Sequence, residues 1–133
     1  MDTISALTII GSIMITVGLI FIAIPKAVNQ KIMGNLTQDA INISASFRVI
    51  LGGVSIAIGF ISLYSRNLPT EYAKILLFAL GLGFLIINSQ IVLSKVRGFA
   101  KELPIPPIIL FFLLAIIAFY SSWKVFFNNS TKF

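Results

Sequence analysis

Four stretches of this chain carry no charged residue: 3–25, 49–65, 75–94 and 103–123. Hydrocarbon offers no water to the backbone, so apolar runs of this length span a membrane as helices, which satisfy their own N–H and C=O groups. A spanning helix needs roughly 20 apolar residues. Three of the runs reach that length. The second, 17 residues between Arg48 and Arg66, fits if both arginines extend their stems outward to the headgroups. Composition agrees, because 11% of the 133 residues are charged where a soluble domain carries about 25%. The expected fold is therefore an all-α integral membrane protein, a single domain over 1–133. It is a four-transmembrane-helix bundle with helices at about 3–25, 47–65, 73–94 and 104–124.

The first run reads as a retained helix rather than a cleaved signal peptide. It opens with Asp2 and no basic residue, exceeds the usual apolar core of a signal, and has no small-x-small site before Pro25, which ends the helix. The segment 26–46 mixes Val28, Ile32, Met33, Leu36, Ile41 and Ile43 with polar residues. It suits either an amphipathic helix in the headgroup plane or a plain loop. The later connections are short and punctuated by Pro69 and by Pro104, Pro106 and Pro107. Lys26, Lys31, Arg48, Lys95, Arg97 and Lys101 fall on one side of the membrane, and Arg66, Lys74, Lys124 and Lys132 on the other. The excess of basic residues on the first side predicts a cytoplasmic face there, with both termini outside.

Between helices in lipid, association depends on small residues that let backbones approach. The second helix carries Gly52, Ser55, Gly59 and Ser62 in line with Arg48, at steps of three and four, with Gly53 and Ala57 beside them. The first has Gly11 and Gly18 seven apart; the third has Gly81 and Gly83. The expected packing positions are Gly18, Gly52, Gly53, Ser55, Gly59, Gly81 and Gly83. The first three helices form the expected centre. The fourth, with Ala115, Ala118 and Ser122 amid Ile, Leu and Phe, is expected to face lipid.

One constellation has chemical content. If the second helix begins near Arg48, that guanidinium lies on the side where the third helix ends, within reach of Asn88, Ser89 and Gln90. An anion docked there would gain free helix N–H groups as well as the guanidinium. Arg48, Asn88 and Gln90 are thus the expected binding residues for an anionic headgroup. The plainer alternative is that Arg48 is an interface anchor.

Catalysis and metal chemistry have little to use. Cysteine and histidine are absent, and Asp2, Asp39, Glu71 and Glu102 all lie outside the apolar runs. No catalytic residue, metal ligand or cofactor is expected. Without an acid inside the membrane, a small transporter is a less favoured alternative. The net charge of +6 is distributed between apolar runs, which suits lipid headgroups rather than nucleic acid.

The run Arg48-Val-Ile-Leu-Gly52-Gly53-Val-Ser-Ile-Ala57-Ile-Gly59 is similar to the second-helix signature of a group of small bacterial inner-membrane proteins near the DoxX-like four-helix proteins. The first-helix ending Gly18-Leu-Ile-Phe-Ile-Ala-Ile-Pro25 resembles the same group. The chain departs from it at Ser46-Phe47, where an acidic residue often precedes the arginine, and near Lys95, Arg97 and Lys101-Glu102. The resemblance implies a four-helix fold in a bacterial inner membrane and no particular reaction. It also implies termini inside, against the charge count. Two functions follow as expectations. One is a non-enzymatic structural or accessory subunit, bound to another membrane protein or to itself. The other is a lipid-binding or lipid-handling protein working through the Arg48 side.

Overall fold

The computed structural model describes residues 1–130, with side chains as far as Trp123. It contains five α-helices: α1 (Thr3–Ala23), α2 (Pro25–Met33), α3 (Gln38–Tyr64), α4 (Thr70–Val96) and α5 (Ile105–Ser130). A 3₁₀ turn over Ser65–Asn67 follows α3. Helices α1, α3, α4 and α5 are long and apolar enough to cross a membrane. The protein is a four-span, all-helical membrane bundle.

The helix limits follow from local chemistry. Asp2 caps α1, its Oδ1 accepting the Ser5 N–H at 2.7 Å. Ile24 leaves the helix at φ −133°, ψ 53°, because the ring of Pro25 crowds an α-helical residue in front of it. Pro25 then opens α2, where its missing N–H costs nothing. Gly34 ends α2 at φ 77°, a left-handed conformation that a side chain would disfavour. Gly98 closes α4 in the same way, at φ 78°. There the Phe99 N–H donates to the Ser94 carbonyl at 3.0 Å and the Gly98 N–H to that of Lys95 at 2.9 Å, a Schellman motif.

Two sequence expectations are corrected here. Pro25 starts a separate helix instead of ending the first. The second spanning helix begins at Gln38, not near 47, so most of segment 26–46 is helical. At about 1.5 Å per residue, the 27 residues of α3 measure roughly 40 Å, longer than a hydrocarbon core of about 30 Å. The 21 residues of α1, at roughly 31 Å, match that core closely. The N-terminal turns of α3 therefore rise beyond the end of α1, with α2 packed beside them.

Helix α1 is the hub. Its Gly11 and Gly18 lie against Gly59 and Gly52 of the antiparallel α3, so close that a Cβ built on any of the four falls within 3.0 Å of the facing carbonyl oxygen. Its other face, with Ala6, Leu7, Ile10 and Met14, enters a core shared with Ala73, Leu77 and Phe84 of α4 and with Leu114, Ala115 and Ala118 of α5. Helices α4 and α5 pair through Phe84 stacked on Phe111 (centroids 6.0 Å) and Phe78 edge-on to Phe119 (5.5 Å).

This overturns the expected centre. A third of α5's spanning window is buried, equal to α1, against 22% for α3 and 17% for α4. Ala115, Ala118, Ser121 and Ser122 recur on one face of α5 and are all buried there. Small side chains at that spacing allow α1 and α4 to approach. Meanwhile no α-carbon of α3 comes within 8 Å of one in α4, so the second and third spans do not pack closely backbone to backbone.

Candidate functional site

The helical hairpin of α2 and α3 holds a polar side-chain pair with a specific geometry, Arg48 and Asn29. Arg48 lies ten residues into α3, so its own N–H belongs to the helix ladder and the N-terminus of its own helix is far along the chain. The expected gain for an anion from such a terminus is withdrawn. The side chain is instead fixed by two other elements. Its Nε donates to Oδ1 of Asn29 on α2 at 2.7 Å, and its guanidinium carbon lies 4.8 Å from the centre of the Phe21 ring on α1. Phe21 offers the cation a negative ring face.

Asn29 is only 2% exposed. Because Arg48 Nε can only donate, the Asn29 oxygen must face it, which sets the amide orientation. Its Nδ2 is then a buried donor with no acceptor. The Arg48–Asn29 bond is also the only hydrogen bond that Arg48 makes among the described residues, so both terminal guanidinium nitrogens are left unused.

Beside the guanidinium runs an open groove of about 490 Å³, lined by Met33 of α2 and by Ala40, Ile43, Ser44, Phe47, Arg48 and Leu51 of α3. The α3 residues recur at three- and four-residue steps, which puts them on one face. Apart from Ser44 and Arg48 this lining is apolar.

The structure does not bring Arg48, Asn88 and Gln90 together. Asn88 turns toward α5, its Nδ2 donating to the Ile108 carbonyl at 3.3 Å, and its Oδ1 is buried without a donor. Pro106 and Pro107, just before Ile108, open α5. Gln90 is exposed on the outer face of α4. The physical reason is the separation of α3 from α4: residues on one membrane side meet only if their helices do. Asn29 is the partner that the sequence reading missed. Its signal was its place on a short amphipathic segment preceding the arginine-bearing helix.

Of the expected packing positions, Gly18, Gly52, Ser55 and Gly59 are buried on the α1–α3 side. Gly81 is buried against the Phe119 ring of α5. Gly53 and Gly83 face open space, with nothing within 4 Å of a Cβ built on either, and they take no part in packing within the chain. Gly83 instead lines a second, smaller apolar groove of about 200 Å³ between α3 and α4, with Ile58, Ala79 and Ile87.

Comparison with protein-family models, with curated proteins and with solved structures finds no match for this chain.

Proposed function

We propose that this chain is a non-enzymatic accessory or structural subunit that works by lateral association, packing a transmembrane helix of another membrane protein into the cleft between α3 and α4. The observation that carries this reading is the open state of Gly83, which lines that cleft with nothing within 4 Å of a Cβ built on it. Glycine in a helix interior costs about 1 kcal/mol relative to alanine, a cost returned where another backbone comes close. Gly11, Gly18, Gly52 and Gly59 find that return within the chain. Gly83, four residues after Ala79 at the mouth of the cleft, does not. A neighbouring helix seated there would supply the missing backbone.

The absence of His and Cys, and the exposure of Asp2, Asp39, Glu71 and Glu102, support a role without chemistry. The proposed location is a bacterial inner membrane, and the proposed kinship is with DoxX-like four-helix proteins. Both rest on the likeness of the run from Arg48 to Gly59.

The test is photocrosslinking in the native membrane from position 83, with Ile109, an exposed residue of α5, as the lipid-facing control. A partner of one fixed mass, captured from position 83 and not from 109, supports the reading. A dimer of the chain itself would redirect it to self-association. Crosslinks to lipid alone from both positions would end it.

A further inference from the structure

We infer that the α2–α3 elbow is a binding site for one anionic phospholipid, its phosphate on the unused guanidinium nitrogens of Arg48 and its apolar part in the adjoining groove. This site is independent of the cleft between α3 and α4.

The level of the site suits a phosphate. With α1 matching the hydrocarbon thickness, its end at Ala23 marks the boundary, and Asn29 lies six residues beyond it. Six residues rise at most roughly 9 Å, and a headgroup layer is about 5–8 Å deep. The guanidinium, bonded to Asn29, is therefore held where lipid phosphates lie. The groove spans the same boundary. Leu51 and Phe47 stand at its hydrocarbon end, Ser44 near the level of the guanidinium, and Ala40 and Met33 beyond it.

An ordinary interface arginine follows the lipid on a mobile stem. This one is already fixed, by Asn29 at 2.7 Å and by the Phe21 ring at 4.8 Å, so less conformational freedom is lost on binding. With Nε engaged, the two terminal nitrogens remain, and these match two phosphate oxygens in a fork. The Asn29 amide that holds the guanidinium is itself buried and lies outside the groove lining, so it positions Arg48 rather than meeting the lipid. Charge complementarity favours an anionic lipid over a neutral one. Lys26, Lys31, Lys95, Arg97 and Lys101 share this membrane side with only Asp39 and Glu102. The apolar lining favours a lipid over a free anion.

The test is native mass spectrometry of the full chain released from mixed phosphatidylcholine–phosphatidylglycerol nanodiscs. One phosphatidylglycerol per chain is expected to remain bound. Arg48→Gln should lower its retention roughly tenfold, the share of a charge-assisted hydrogen bond. Ala40→Leu, which fills the groove and leaves the Arg48–Asn29 pair intact, should lower it as well. Arg97→Gln, at an exposed arginine on the same side, should retain lipid like the unmodified chain. If Arg48→Gln fails to fold, the comparison of Ala40→Leu with Arg97→Gln decides. Equal retention in all variants, or equal retention of phosphatidylcholine, would overturn the inference. So would displacement of the lipid by inorganic phosphate, which would reveal an ion site.

Discussion

Replacing Gly18 with alanine tests the central feature of the fold, the close approach of α1 to α3. A Cβ at Gly18 would lie 2.5 Å from the Gly52 carbonyl oxygen, 2.6 Å from Ile56 Cγ1 and 3.0 Å from the Ile56 nitrogen. The Ile56 side chain can rotate away, but the two backbone atoms cannot. Real Cβ atoms essentially never approach closer than 3.0 Å, so the helices must part by at least 0.5 Å, the difference between 3.0 and 2.5. A radial gap of about 0.5–1 Å forfeits a quarter to a half of each dispersion contact, and the loss extends to the matching pair Gly11 and Gly59. Overpacking of this kind costs about 1–3 kcal/mol. Alanine's better helix propensity returns at most about 1 kcal/mol. The expected net loss is up to about 2 kcal/mol, and about 1–3 kcal/mol relative to a glycine-to-alanine change that gains the same propensity without the clash. Reversible unfolding in mixed micelles, followed by circular dichroism across a denaturing-detergent titration, would measure it. Gly53→Ala is the matched control on the same helix pair, since a Cβ there meets nothing within 4 Å; it should be neutral or slightly stabilising. If Gly18→Ala proves as stable as Gly53→Ala, the close-approach account of this fold is wrong.

Two further changes probe the ends of the bundle. Ser121 is 1% exposed and its Oγ has no hydrogen-bond partner among the described residues, so Ser121→Ala removes a desolvated hydroxyl and should raise stability by up to about 1 kcal/mol in the same titration. Asp2, at the start of α1, has its carboxyl held below the ordinary aspartate range, first by the backbone N–H of Ser5 and then by the Ser5 side chain. A folded-state pKa below the unfolded value gives stability that is complete above the unfolded pKa and lost as pH falls through the folded one. The unmodified chain should therefore weaken on acidification through that window more than Asp2→Asn, compared by thermal melts at a series of acid pH values.

The arrangement around α1 explains why this chain tolerates glycine unevenly. Two spans, α3 and α4, flank the hub with no α-carbons within 8 Å of each other. Burial is concentrated on α1 and α5. Small residues that serve this hub are enclosed, while Gly53, exposed on α3, and Gly83, in the groove between α3 and α4, are not.

What the sequence determined by itself was the set of things governed by neighbours along the chain. Length and lack of charge specify four spans, because hydrocarbon admits an apolar helix whatever surrounds it. Pro25 marks a real boundary, although it opens a helix where the sequence suggested an end. The seven-residue spacing of Gly11 and Gly18, mirrored by Gly52 and Gly59, was visible as a stripe on each helix. Tertiary structure alone decided which stripes meet. In lipid every outward face is apolar, so hydrophobic periodicity does not distinguish a buried face from a lipid-facing one. The identical residue types at Gly52 and Gly53 thus ended in opposite environments. The same physics governed the candidate site. Arg48 was legible as an unusual cation at the membrane edge, but its partner depended on which helix came to lie beside α3. That helix was α2, carrying Asn29, and the expected α4, carrying Asn88 and Gln90, packs against α5 and α1 instead.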